Sequence, residues 1–127
     1  MRVFLVRHAK AEPGYPDELR ALTPAGHARA GELGAELAAE RPAAVISSPL
    51  VRARQTAEPI AAAAGLELRE DERLSPGADA DDVRAIVEGL DGTVVLVGHQ
   101  PDLGEIVHEL TGREVRLKTG TYEAVEL

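Results

Sequence analysis

The sequence predicts a three-layer α/β sandwich, a mostly parallel central sheet with helices on both faces, and three observations carry that expectation. Short uncharged runs, above all Val3-Phe4-Leu5-Val6 and Thr93-Val94-Val95-Leu96-Val97, read as strands buried on both faces. Longer stretches with apolar residues at helical spacing lie between the strands, so strand and helix alternate along the chain. Both of the strongest strands break abruptly into a histidine, His8 in Arg7-His8-Ala9-Lys10 and His99 in Gly98-His99-Gln100-Pro101. In open α/β sheets, ligands bind just past the carboxyl ends of parallel strands, which makes both histidines candidate site residues.

Each element has its own signal. After the first strand, residues 11–22 hold Pro13, Gly14, Pro16 and Asp17, turn formers that predict a loop over the sheet edge beside His8. Thr23 is the expected N-cap of a first helix, with Pro24 at its first position and an end near Glu40. The spacing of Gly26, Gly31 and Gly34 predicts close packing of this helix on the sheet. Pro42 stops it, and residues 43–46 form the second strand. Ser48 as cap and Pro49 as first residue predict a second helix from Leu50 to about Ala64, in which Arg52 occupies the first turn and the Ala61–Ala64 run packs. Its amino end, with free N–H groups, points at the same sheet edge as His8.

Gly65 closes that helix, residues 66–68 read as a half-exposed third strand, and residues 71–77 as a loop. Residues 79–90 carry Val83, Ile86, Val87 and Leu90 at helical spacing. The uncharged Thr93–Val97 strand is predicted to be central. Pro101 starts a last helix with Leu103, Ile106, Val107 and Leu110 on one face, and Gly112 stops it. Residues 121–126 are expected to return as a final, antiparallel strand.

At 127 residues the chain is expected to form one domain, residues 1–127, without internal repeats or linkers. Aromatic residues make up 2%, so Val, Leu, Ile and Ala must build the core. A net charge of −8 and a pI near 5.0 exclude nucleic acid as a partner, because backbone phosphates require a basic footprint. Cysteine is absent, which removes disulfides, thiolate catalysis and cysteine-based metal sites. No apolar run is long enough to span a bilayer and no signal-peptide layout precedes the first strand, so no membrane role and a cytoplasmic location are expected. The scarcity of thermolabile residues, with no Asn and two Gln, fits a hot environment or a GC-rich genome equally well.

Arg7, His8, Arg52 and His99 are thus expected at one edge. Guanidinium groups and an imidazole suit a phosphoryl group, whose non-bridging oxygens need several donors in fixed directions. Two histidines without a carboxylate at ligand spacing do not make a zinc site, and no G-x-S-x-G turn supports a serine hydrolase.

Three segments, Leu5–Ala9, Ser47-Ser48-Pro49-Leu50-Val51-Arg52-Ala53-Arg54-Gln55-Thr56-Ala57 and Val97–Pro101, together resemble the histidine phosphatase superfamily over essentially the whole chain. Within it the chain is similar to the short SixA-like branch of phosphohistidine phosphatases, which lacks the insertions that cover the site in mutases and larger phosphatases. Arg20-Ala21-Leu22-Thr23-Pro24-Ala25-Gly26 resembles that branch too. The resemblance implies a phosphoglycerate-mutase-like fold in minimal form without a lid, and a metal-independent phosphatase with no cofactor. It implies His8 as nucleophile, with Arg7, Arg52 and His99 binding the phosphoryl oxygens, His8 neutral for attack and His99 cationic beside a bound dianion.

Two positions depart from the family pattern. Ala9 stands where glycine is usual, which is tolerable unless the position needs a positive φ. Glu72 is the nearest equivalent of the general acid that larger members use, and an exposed loop glutamate is its competing reading. An alkoxide leaving group needs such an acid, whereas phosphohistidine departs as neutral imidazole. A site without a secure acid therefore favours phosphohistidine on a protein; alternatives are a phosphomonoesterase for a small phosphorylated metabolite, which Glu72 within reach would support, and a non-catalytic phosphate-binding module. His27 and His108 read as surface histidines, Lys10, Arg20 and Arg54 as sources of positive field or as ordinary ion-pair partners rather than catalytic groups, and Thr119 and Thr121 reach the pocket only if the last loop folds over the same edge.

Overall fold

The computed structural model describes residues 1–127. Strands β1 (Arg2–Arg7), β2 (Ala44–Ser47), β3 (Leu68–Glu70), β4 (Thr93–Gly98) and β5 (Tyr122–Glu126) form one sheet in the order β3-β2-β4-β1-β5. All neighbours are parallel except β1 and β5. The uncharged β4 lies at the centre as expected, while the edge strands β3 and β5 carry Arg69, Glu70, Glu123 and Glu126, which need solvent.

Side chains alternate along each strand and so divide between two cores. Val3, Leu5, Ile46, Val94 and Leu96 pack under α3 (Ala80–Val87) and α4 (Asp102–Thr111). Phe4, Val6, Val45, Val95 and Val97 pack under α1 (Pro24–Ala38) and α2 (Val51–Ala64) on the other face. This is the three-layer sandwich. The chain leaves β1 through α1 on one face and leaves the neighbouring β4 through α4 on the other. Adjacent strands that feed opposite faces open a crevice at their carboxyl ends, where His8 and His99 stand.

Several element boundaries differ from the expectation. Helix α1 starts as predicted, with the Gly26 amide donating to Thr23 Oγ1 at 2.9 Å, but ends at Ala38. Gly34 backs onto α2 rather than the sheet: a Cβ there would stand 2.8 Å from the Pro59 carbonyl oxygen. Gly26 meets the Lys10 carbonyl and Gly31 meets nothing. Helix α2 starts at Val51 with Leu50 as its N-cap, not at Pro49, and the Ser48 hydroxyl accepts from the Leu50 amide at 3.2 Å just before the first turn. Of the alanine run Ala61 is buried and Ala64 half-buried, while Ala62 and Ala63 are exposed. Strand β3 pairs through Leu68–Glu70, later than predicted. Helix α3 starts behind a capping box between Asp79 and Asp82 and ends at Val87, since Glu88 leaves helical geometry. No helix is long and apolar enough to cross a membrane.

Candidate active site

His8 leaves the end of β1 with its amide still donating to Gly98 O at 3.2 Å, one step beyond the paired strand. It is buried, 8% exposed. Its Nδ1 lies 2.8 Å from the Ala9 carbonyl oxygen. A carbonyl accepts only, so this contact places the ring proton on Nδ1 and leaves the lone pair on Nε2 free to attack. Burial, then the charges of Arg52, Arg7 and Arg20, push the His8 pKa down to about 4 against the opposing effect of the Ala9 carbonyl. His8 is therefore neutral near pH 7, the state a nitrogen nucleophile needs.

Ala9 does not adopt a positive φ, so glycine is not required there. It is fully buried against Leu22 and Ala30, and its amide donates to Thr56 Oγ1 at 3.0 Å. The Thr56 hydroxyl in turn donates to the Arg52 carbonyl at 2.8 Å. One turn of α2 therefore locks the loop that orients His8.

His99 directly follows β4, 4% exposed, with its ring centroid 5.4 Å from that of His8. Its Nε2 lies 2.8 Å from Ser48 Oγ, and the Ser48 hydroxyl already accepts from the Leu50 amide. That hydroxyl can donate to Nε2 or, through its second lone pair, accept from Nε2–H, so the contact orients the His99 ring in either tautomer. Burial first, then His8, Arg52 and Arg7, lower the His99 pKa to about 3, with Asp17 opposing. With protein groups alone His99 is neutral, and the cationic form expected above requires the added charge of a dianion beside it.

Arg7 is half-buried and donates through Nη1 to Leu117 O at 3.0 Å. Arg52, 7% exposed, donates through Nη1 to Asp17 O at 2.9 Å and through Nη2 to Asp17 Oδ2 at 3.1 Å. Arg7 Nε, Arg52 Nε and His99 Nδ1 are buried without a hydrogen-bond partner. A buried polar group left unpaired costs about 1–3 kcal/mol, and these three nitrogens belong to residues that line the same cleft.

The four residues expected to meet do line a common cleft, about 410 Å³, together with Lys10, Asp17, Arg20, Gln100 and Thr119. Thr119 arrives because the last loop folds over this edge, the Gly120 amide donating to His8 O at 2.9 Å; Thr121 does not line the cleft. Arg54 is taken up by Glu58 and Glu70, while His27 and His108 are exposed. Glu72 is exposed on a short 3-10 turn after β3 and is not brought into the cleft, whose lining this segment reaches with Pro76 instead.

The residue that sequence reasoning missed is Asp17, the one carboxylate in the lining. Arg20, then Arg52, hold it below the usual carboxylate range. Its loop is tied down far from its own position, by the Leu22 amide donating to Gln55 Oε1 at 2.8 Å. Arg52, Gln55 and Thr56 lie at i, i+3 and i+4 on one helix face, a spacing visible in the sequence that marks all three as facing the first loops.

Residues 3–76 match the family model described as histidine phosphatase superfamily, branch 1. The solved structure of the protein histidine phosphatase SixA complexed with tungstate is similar over 100% of this chain and 88% of that one, at 28% identity and a TM-score of 0.89. A SixA described as a phosphohistidine phosphatase from Agrobacterium tumefaciens covers 97% of this chain and 89% of its own at 26% identity and a TM-score of 0.83. A protein of Picosynechococcus sp. is 42% identical over 83 residues, 58% of this chain and 50% of that protein, so the chain matches half of that relative's length.

Proposed function

We propose that this chain, which belongs to the histidine phosphatase superfamily, is a phosphatase acting through a phosphohistidine intermediate on His8, and that its substrate is phosphohistidine on a protein. The observation that carries the reading is the convergence of a neutral His8, its proton committed to Ala9, with the buried, unpartnered donors of Arg7, Arg52 and His99. The same set favours an enzyme over a non-catalytic phosphate-binding module, since a binder has no use for a free nucleophilic nitrogen.

In this mechanism the His8 Nε2 lone pair forms a bond to phosphorus while the bond to the leaving group breaks. Arg7, Arg52 and His99 hold the non-bridging oxygens, and positioning and charge stabilisation supply most of the rate. Water then attacks phosphorus, the P–N bond breaks, and His8 departs as neutral imidazole because Nδ1 has kept its proton. Residues 1–127 act as a single minimal domain without a lid, and an arginine-lined cleft asks for no metal.

The choice of substrate rests on acid chemistry. A phosphomonoester needs a proton for its leaving alkoxide, and the cleft's one carboxylate is held ionised by two guanidiniums. Glu72 within reach would have favoured a metabolite phosphomonoesterase, and it stands outside the lining. A protein-borne substrate is supported by Tyr15, 97% exposed, and Leu19, 63% exposed, on the loop whose Asp17 borders the cleft. Large apolar side chains so displayed beside a site suit contact with a partner surface.

The test is side-by-side turnover, without added metal, of a phosphohistidine-bearing protein and an aryl phosphate monoester, with acid-labile phosphate trapped on the enzyme. The expected result is faster release from phosphohistidine and no trapped phosphate in His8→Ala. Near-normal turnover by His8→Ala would overturn the mechanism, and faster release from the monoester would overturn the substrate assignment.

A further inference from the structure

We propose that Asp17 is a specificity-determining residue whose carboxylate accepts the hydrogen on the far ring nitrogen of the substrate phosphohistidine, stabilising the protonated ring that then leaves as neutral imidazole. The inference rests on the phosphohistidine reading above and deepens it. It starts from the symmetry of that reaction, in which both the donor and the acceptor of the phosphoryl group are imidazoles. For His8 the chain supplies an acceptor at the far nitrogen, the Ala9 carbonyl at 2.8 Å. The substrate ring has the same need, and Asp17 is the acceptor-only group in the cleft lining that matches it.

Asp17 is built into place. Its Oδ1 accepts from Arg20 Nη1 at 3.0 Å, its Oδ2 from Arg52 Nη2 at 3.1 Å, and its carbonyl from Arg52 Nη1 at 2.9 Å and the Arg20 amide at 3.1 Å. Each carboxylate oxygen has a second lone pair, so acceptor capacity remains. The side chain is 60% exposed, so it stands at the mouth of the cleft where a leaving group exits. Its carboxylate is ionised through the working pH range because Arg20 and Arg52 favour that form, and Arg7, Lys10, His8 and His99 complete the charged and titratable groups of the lining.

The electron count fixes the preference. In phosphohistidine protonated at the far nitrogen, the breaking P–N bond leaves its electron pair on the ring, and neutral imidazole departs with the far N–H intact. An anionic Asp17 stabilises that cation before transfer. An ester's leaving oxygen instead gains negative charge, which the same carboxylate repels, so a single group favours one substrate class and disfavours the other.

The experiment measures wild type, Asp17→Asn and Asp17→Glu on free phosphohistidine and on p-nitrophenyl phosphate from about pH 5.5 to 8. A free imidazole titrates near 6.5, so without Asp17 the protonated substrate becomes scarce above that pH. On phosphohistidine, Asp17→Asn is expected to lose about threefold at pH 5.5 and more than about tenfold at pH 8, with Asp17→Glu recovering part of the high-pH rate. On the ester, any loss is the same factor at both pH values. An equal, pH-independent loss on both substrates would overturn the inference and reduce Asp17 to a holder of Arg52. A wild-type enzyme faster on the ester at every pH would overturn the underlying phosphohistidine reading, and the inference with it.

Discussion

The hydroxyl of Thr56 and the amide of Ala9 meet at 3.0 Å across 47 residues of sequence, with both residues fully buried. The bond fixes the backbone of Ala9, the residue whose carbonyl faces His8 Nδ1, so a helix side chain helps to orient the proposed nucleophile. Thr56→Val keeps the shape and removes the acceptor, leaving the Ala9 amide buried and unpaired. Stability is expected to fall by about 1–3 kcal/mol in denaturant melts. The kcat for phosphohistidine falls with it by roughly tenfold while KM changes little, because the loss lies in orienting His8 rather than in binding phosphate.

Ser48 plays the matching part for His99, 2.8 Å from Nε2. Ser48→Ala releases the ring from its one hydrogen-bond partner. Affinity for inorganic phosphate or tungstate, measured by competitive inhibition, is expected to weaken by about tenfold, a loss of about 1.4 kcal/mol. A fully folded Ser48→Ala protein with unchanged inhibition would remove Ser48 from the site.

Ala9→Gly addresses the position where the family pattern prefers glycine. Ala9 does not need a positive φ and packs against Leu22 and Ala30, so the substitution removes a buried methyl and adds backbone freedom. The expected cost is about 0.5–1 kcal/mol of stability, read from the thermal midpoint, with turnover within about twofold of wild type.

Tyr15 is 97% exposed beside the cleft. Tyr15→Ala is expected to raise KM for a phosphorylated protein by about fivefold or more and to leave the kinetics on free phosphohistidine within about twofold, since only a macromolecule reaches that loop. Equal effects on both substrates would count against docking there.

Acid should weaken the fold through the two site histidines. Their folded pKa values, about 4 for His8 and about 3 for His99, lie below the ordinary 6.5. The unfolded chain then binds more protons between those values, and stability rises with pH across that window. The contribution is fully present above about pH 6.5 and is lost as pH falls toward 4, on the order of 3 kcal/mol for each histidine. His99→Gln should flatten the urea-midpoint profile between pH 6.5 and 4.

The strands β1 and β4, and the histidines that follow them, were legible in the sequence because burial on both faces of a parallel strand demands an uncharged run and its end is written in the next residue. Arg52 was legible for a similar reason, standing in the first turn of a helix that starts after a strand. The Thr23 cap and the antiparallel last strand followed from local rules of the same kind. These are short-range consequences of polarity, capping and backbone preference, which neighbouring residues decide between them.

Only the tertiary structure decided the order β3-β2-β4-β1-β5, which places β1 beside β4 and so brings the His8 and His99 rings to 5.4 Å. It also decided which carboxylate meets the arginines of the cleft. Glu72 and Asp17 are both loop acids, and nothing in their immediate sequence ranks them. Asp17 reaches Arg52 because Gln55 anchors the base of its loop and Ala9 packs under it, whereas Leu74, buried in the core, pins the segment that leaves Glu72 in solvent. Loop placement is set by contacts between residues distant in sequence, each worth little until the sheet and its helices have brought them together.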